Sequence, residues 1–236
     1  MPMAGEGSRF KKEGWITPKP LMELNGKPLF LHAISSVTAP GIELKYSFIV
    51  RQEHIDEYHI DKSIKDILPD ANVFSVERTT RGAVETCLIA EPAITDDDGV
   101  IVMDCDLEFR SKQFLDIIYK ILNQPLYEAE GGALVSFEST DLRYSYAALG
   151  EDGYVKQTAE KEPISNHALC GAYFFSTGKR FKQIAHKLLD EPEFKKPEYY
   201  VSLLYNYLLN GGEKVQLASV EEYYSYGTPE ELKRYL

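Results

Sequence analysis

The feature that most constrains this chain is an alternation along its first 140 residues. Short runs rich in β-branched and aromatic residues, KYSFIV (45–50), ANVFSVE (71–77), GVIVMDCD (99–106) and GGALVSFES (131–139), read as strands. Between them lie stretches with helical period: LFLHAISSV (29–37), EHIDEYHIDKSIKDIL (53–68), GAVETCLIA (82–90) and SKQFLDIIYKILNQ (111–124). Strands that alternate with helices predict an α/β fold with a mixed, mostly parallel sheet and helices on both faces. Crossovers of that kind are right-handed, and ligands gather at the carboxyl ends of the strands.

After about residue 140 the pattern changes. YSYAALGEDGYVKQTAEK (144–161) predicts a hairpin turning at EDG, and CGAYFFS (170–176) another strand. KRFKQIAHKLLDE (179–191) and YYVSLLYNYLLNGG (199–212) predict helices, the second closed by a glycine C-cap. KVQLASVEEYYSYG (214–227) is extended. TPEELKRYL (228–236) starts a helix, with Thr228 as N-cap, Pro229 in the first turn and Glu231 completing a capping box. With no repeat or linker, residues 1–236 read as one domain, an α/β front with a small mixed insertion.

Composition excludes several function classes. The formal net charge of −11 opposes long-range attraction to nucleic acid or an anionic membrane. There is no apolar run long enough to span a bilayer and no export leader, and Cys87, Cys105 and Cys170 form neither a metal-type pair nor a disulfide framework. A reducing cytoplasm is the expected compartment. Any phosphate must be bound by a local cluster of cations or by a metal. Arg9, Lys11, Lys12, Lys19 and Lys27 are such a cluster, close behind Gly5 and Gly7.

GEGSRF (5–10), TPKPL (17–21) and LNGKPL (24–29) together resemble the signature of the nucleotidyltransferases that make activated sugars and related activated headgroups. The resemblance continues through RGAVET (81–86), VMDCD (102–106), EKEPISNHALCGAYFF (160–175) and GTPEEL (227–232), in order along nearly the whole chain. It implies a three-layer Rossmann-like fold. It also implies a reaction in which an acceptor's phosphate oxygen attacks the α-phosphorus of a nucleoside triphosphate and pyrophosphate leaves. The acceptor implied is a small phosphorylated compound, a sugar 1-phosphate first, in the supply of surface or capsule polysaccharide. In that family a full strand precedes the glycine loop, whereas here Met1, Pro2 and Met3 do.

The resemblance assigns roles residue by residue. Ala4, Gly5, Gly7 and Ser8 form a loop whose backbone approaches the triphosphate. Arg9 offers a fork of donors to the leaving phosphates, or else makes a surface salt bridge. Lys19, stiffened by Pro18 and Pro20, neutralises charge at the α-phosphate, or else is a solvated lysine on an extended turn. Gly82 and Ala83 lie flat beside the base. Glu160 accepts from acceptor hydroxyls, Lys161 contacts the acceptor phosphate, and Asn166 and Gly171 follow the acceptor-pocket pattern. Asp106 is the implied Mg²⁺ ligand at a strand end. Asp104, two residues back on the same face, assists it or caps the strand.

One position departs from the pattern. Many relatives carry a metal-binding aspartate just ahead of the closing glycine, where this chain has Tyr226. A neutral phenol is a poor Mg²⁺ ligand, which leaves Asp106 with phosphate oxygens alone, or helped by Asp104 or Glu222. The late cluster of tyrosines reads as core packing, with an acceptor-pocket wall or a contact in a homo-oligomer as the other readings. Three competing functions remain. They are a cytidylyltransferase acting on a non-sugar phosphate headgroup, a glycosyltransferase whose DCD (104–106) is a metal motif, and a nucleotide-binding module without catalysis.

Overall fold

Strand β11 (His167–Phe175) is apolar along nearly its whole length and buried at eight of nine positions. Its side chains alternate between two cores. Leu169, Tyr173 and Phe175 join Phe181, Leu204 and Tyr205, while Cys170, Ala172 and Phe174 join Phe114, Ile118 and Ala133. A strand covered on both faces must lie in the middle layer of three.

The computed structural model describes residues 1–125, 128–192 and 194–236. In chain order, β1 (Pro2–Met3) leads through the glycine loop to α1 (Ser8–Lys12). A 3₁₀ turn (Lys19–Leu21) and a small hairpin, β2 (Glu23–Leu24) and β3 (Lys27–Pro28), precede α2 (Leu29–Ser35). Next come β4 (Ser47–Arg51), α3 (Gln52–Tyr58), α4 (Ile60–Ile67), β5 (Asn72–Val76) and α5 (Ala83–Leu88). β6 (Val100–Met103), β7 (Leu107–Arg110), α6 (Lys112–Leu122) and β8 (Gly132–Glu138) complete the front. The rest comprises the β9 (Ser145–Leu149) and β10 (Val155–Glu160) hairpin, β11, α7 (Gly178–Leu189), α8 (Leu204–Asn210), β12 (Val215–Ser219), β13 (Glu222–Ser225) and α9 (Pro229–Leu232).

β1, β4 and β5 pair in parallel, in the order β1-β4-β5. The larger sheet runs β10-β9-β11-β8-β12, with β6 antiparallel to β11 and β12 parallel to β8. The short opening segment does form a strand. The Met1 ammonium donates to the Ser47 carbonyl at 2.7 Å, and Ile49 N–H donates to the Met1 carbonyl at 3.1 Å.

Several local expectations are corrected. The helix foreseen over 53–68 is two helices, broken at His59, whose φ of 51° is left-handed. The segment 214–227 is two strands in different sheets, β12 on β8 and β13 on β7. The helix foreseen over 199–212 is a 3₁₀ turn (Val201–Leu203) followed by α8, and the left-handed glycine after it is Gly212. At the end of the chain the capping box forms as read, with Thr228 Oγ1 accepting from Glu231 N–H and Glu231 Oε2 accepting from Thr228 N–H. Among the described residues, no helix is long and apolar enough to cross a membrane.

Tyr205 ties the core to the central strand. It is fully buried, and its hydroxyl donates to the Phe174 carbonyl at 2.8 Å. Tyr205→Phe removes that donor without opening a large cavity. It should lower unfolding stability by about 1 to 2 kcal/mol, measured by urea denaturation.

Candidate active site

β6 ends at Met103, so Asp104 and Asp106 stand on the turn into β7 rather than on a shared strand face. That turn brings Asp106 to the 3₁₀ turn that begins at Lys19. Lys19 Nζ donates to Asp106 Oδ2 at 2.7 Å, across 87 positions of sequence. The lysine segment is not extended, because Leu21 N–H bonds back to the Pro18 carbonyl at 2.9 Å and Met22 N–H to the Lys19 carbonyl at 3.1 Å. Pro18 and the buried Pro20 still stiffen it. Burial works against the Lys19 charge, but the Asp106 carboxylate, with Cys105 and Asp104 behind it, outweighs burial and holds the ammonium pKa above its ordinary value.

Asp104 shares this cleft floor. Its side chain is reached by solvent, yet protein surrounds it on the remaining sides. Burial and then the Asp106 charge push its pKa up to about 7, with Lys19 pulling the other way. Its backbone N–H donates to the Gly171 carbonyl at 2.9 Å. Gly171 has φ +88°, and a Cβ placed there would lie 2.6 Å from Asp104 Oδ2. The glycine of β11 therefore makes room for the carboxylate of the turn. Cys105, between the two aspartates, packs with Met3, Phe30 and Phe48.

The glycine loop follows β1 directly. Ala4 is buried, Gly7 has φ +62°, and Ser8 begins α1 with Arg9 exposed on its first turn. Arg51, at the end of β4, reaches the loop. Its Nη1 donates to the Ala4 carbonyl at 3.4 Å and to Thr79 Oγ1 at 3.3 Å, and Thr79 in turn donates to Glu6 Oε1 at 2.9 Å. No motif pointed to Arg51. Its place at the carboxyl end of a parallel strand was the available signal.

Backbone packing alone requires a glycine at position 82. A Cβ there would lie 2.4 Å from Tyr199 N and 2.8 Å from Tyr199 O. Tyr199 N–H donates to the Arg81 carbonyl at 3.0 Å, and Val84 N–H donates to the Tyr199 carbonyl at 3.1 Å. Gly82 and Ala83 are thus clamped against the strand-like backbone of Tyr199. Arg81 pairs with Glu85 and lies over the Tyr199 ring at 5.0 Å.

The acceptor-side pair sits at the end of β10. Glu160 is buried, and its carboxylate accepts from the hydroxyls of Ser145 and Ser202. Lys161, with φ +57°, donates from Nζ to Tyr200 Oη at 2.8 Å. That hydrogen bond raises the Lys161 pKa. Asn166 is exposed at the start of β11, and its backbone carbonyl accepts from Ser139 N–H at 3.1 Å. The structure links the Asn166 side chain to neither Glu160 nor Lys161.

Glu222 and Tyr226 are both engaged elsewhere. Glu222 is paired with Arg110 Nη2 at 2.9 Å, at the far end of the β13–β7 ladder from Leu107. Tyr226 turns away from Asp106 into a core with Phe10, Met22, Leu24 and Leu29, and its hydroxyl donates to Glu108 Oε2 at 3.0 Å. Burial, then Glu108, keeps the phenol pKa well above its ordinary value. The groups that do face Asp106 surround Gly227. A Cβ there would lie 3.2 Å from Asp106 Oδ2, 3.4 Å from Glu231 Oε2 and 3.7 Å from Ser225 Oγ. This is an oxygen-lined cradle suited in chemistry to a hard cation. Among the described residues there is no ready-made cluster of three or more metal-ligating side chains.

The nucleotidyl transferase family profile matches residues 3–223. The chain belongs to that family. It is 26% identical over 229 residues to the bifunctional protein GlmU of Carboxydothermus hydrogenoformans, covering 93% of this chain and 47% of that protein. It is 35% identical over 106 residues to the 2-C-methyl-D-erythritol 4-phosphate cytidylyltransferase of Chromobacterium violaceum, covering 44% of this chain and 43% of that one. The chain thus matches less than half the length of these curated relatives. Among solved structures, the nucleoside-diphosphate-sugar pyrophosphorylase of Vibrio cholerae RC9 superposes with a TM-score of 0.83 at 26% identity, over 100% of this chain and 99% of that one.

Gly171→Ala tests the packing of the cleft floor. The new methyl group meets Asp104 and the backbone sits in a left-handed conformation. Unfolding stability should fall by more than about 1 kcal/mol in urea denaturation.

Proposed function

We propose that this protein is a nucleotidyltransferase that couples a nucleoside triphosphate to a small phosphorylated acceptor and releases pyrophosphate. A sugar 1-phosphate is the acceptor we favour, in the supply of a surface or capsule polysaccharide. The observation that carries the reading is the Lys19–Asp106 pair, held beside a glycine loop on the first strand of the parallel sheet. A single domain and a cytoplasmic setting complete it.

The reaction brings several negative charges together, so the protein's contribution is orientation and charge neutralisation. An oxygen of the acceptor phosphate forms the new bond to the α-phosphorus, and the bond to the β-phosphate oxygen breaks with its electron pair leaving on pyrophosphate. Lys19, kept protonated by its neighbours, faces the charge that develops at the α-phosphate. Arg9 and the backbone amides of Gly5 to Ser8 serve the leaving phosphates. Lys161, steered by Tyr200, holds the acceptor phosphate, and Gly82 and Ala83 flank the base. The oxygens around Gly227 fit Mg²⁺ held by Asp106 together with phosphate oxygens, since Mg²⁺ keeps several waters and takes one or two carboxylates. When bound, it neutralises triphosphate charge.

A second reading has one specific support. The Glu160 carboxylate is already occupied by two serine hydroxyls, which leaves it less free to read sugar hydroxyls. That observation favours a cytidylyltransferase acting on a non-sugar phosphate.

Pyrophosphate release with four triphosphates against a panel of phosphorylated acceptors decides between these readings. In the active pairing, Lys19→Ala and Arg9→Ala should each cost on the order of 100-fold or more in turnover. Asp106→Asn should abolish activity, whereas Glu222→Gln should leave it near wild type. Full activity in Asp106→Asn would refute the site.

Lys161→Ala should raise the acceptor KM much more than the triphosphate KM. A triphosphate-only effect in steady-state kinetics would move Lys161 out of the acceptor pocket.

A further inference from the structure

Beside the glycine loop lies a cavity of about 20 Å³. Three segments line it: Gly5 and Gly7, which have only backbone to offer, the stretch from Trp15 to Lys19, and α3 with His54 and Tyr58. The space is small against a base or a sugar, yet it meets the roughly 10 to 15 Å³ that an ordered water needs. His54 is 3% exposed, and its Nδ1 is buried without a hydrogen-bond partner. Among the described residues it is the one unpartnered buried side-chain atom on the lining of this cavity.

The start of α3 already grips the chain on both sides of the glycines. Arg51, its N-cap, donates to the Ala4 carbonyl just before them. Glu53 pairs at 3.4 Å with Lys11 of α1, which follows them. That ion pair is exposed and holds little by itself. Between the two contacts run Gly5, Glu6 and Gly7, and glycine backbone is the most costly to order. His54 shares the cavity with those glycines and brings a buried polar atom to it. Burial lowers the His54 pKa, against Glu53 and together with Arg51 and Lys11, which holds the ring toward its neutral form. A neutral imidazole donates at one nitrogen and accepts at the other, and water serves either tautomer at Nδ1.

We propose that His54 is a positioning residue for the triphosphate, resting on the reading of the glycine loop as the triphosphate site: one water in this cavity bridges His54 Nδ1 to the loop backbone and holds the loop ready for phosphate. His54 touches no substrate. It lowers the cost of ordering Gly5 to Gly7 when the triphosphate arrives, so its effect falls on triphosphate binding. The Lys161 contact is built from other elements, the end of β10 and Tyr200, and stays outside its reach. Two substitutions separate the polar atom from the ring. His54→Phe keeps the ring's bulk and removes the polar atom, while His54→Asn keeps a polar atom near the place of Nδ1 and removes most of the ring.

A crystal structure of the nucleotide-free protein should show a water within hydrogen-bond distance of His54 Nδ1. A protein group bonded directly to Nδ1, or an ordered cavity without that water, would overturn the proposal. In steady-state kinetics His54→Phe should raise the triphosphate KM by about tenfold, with kcat and the acceptor KM within about twofold of wild type. His54→Asn should recover most of that loss. Trp15, the single tryptophan of the chain, lines the same cavity, so its fluorescence reads binding without turnover. Inorganic tripolyphosphate, which carries no base, should bind His54→Phe about tenfold more weakly than wild type by that signal. A wild-type triphosphate KM in His54→Phe, a loss spread equally over both substrates, or an Asn variant as impaired as the Phe variant refutes the role of His54. Pyrophosphate release by the wild-type protein measures the parent reading separately, so each can fail without the other.

Discussion

One ion pair, Lys19 with Asp106, fixes the floor of the cleft. Asp104, Asp106 and Glu160 all bear on the same cleft, in a chain whose formal net charge is −11. Among the described residues, Lys19 is the cation paired with the Asp106 carboxylate, and the fold is arranged to keep it there. Two prolines stiffen its segment, and a 3₁₀ turn sets its direction. The turn after β6 delivers the carboxylate, and Gly171 leaves space for the aspartate next to it. The raised pKa of Asp104 follows from the same crowding.

How much of this could be read in the sequence depends on the range of the interaction. The alternation of strands and helices, the apolar run of β11 and the capping box at Thr228 are local patterns, and they appear where the sequence places them. The resemblance gave Lys19 and Asp106 separate roles, and their pairing was not legible, since neither residue reveals its partner 87 positions away. The break at His59 was missed although the spacing carried it: Ile60 and Ile64 share a face, but an unbroken helix would set Ile55 about 140° away from Ile60. The left-handed residue lets α4 set Ile60 and Ile64 into the core cluster that contains Phe48.

Tyr226 shows the limit of reading a motif position in isolation. The departure from the family pattern was visible, but the direction of the side chain was not. Successive residues of an extended segment face opposite ways. Tyr226 faces the Phe10 core, so Ser225 and the bare Gly227 are what the Asp106 carboxylate meets. The carboxylate closest to replacing the absent aspartate in space is Glu231, six positions along from Ser225, and it is already engaged by Ser225, Thr228 and Arg143. A strong chelating site is therefore not built into the protein alone, and phosphate oxygens must complete any Mg²⁺ shell.

The segment from Tyr199 to Ser202 was read as helix packing, and its position gives it a wider part. Its first residue clamps the Gly82 backbone, its second holds the Lys161 ammonium, and its fourth donates to Glu160. Gly82, Lys161 and Glu160 are thus fastened to four consecutive residues that run into a 3₁₀ turn. One peptide bond separates Tyr199 from Tyr200, and peptide planarity leaves little slack between them. Any displacement of the Gly82 clamp must then be taken up next to the Lys161 contact. The spacing of the two halves of the cleft rests on this strap more than on either motif.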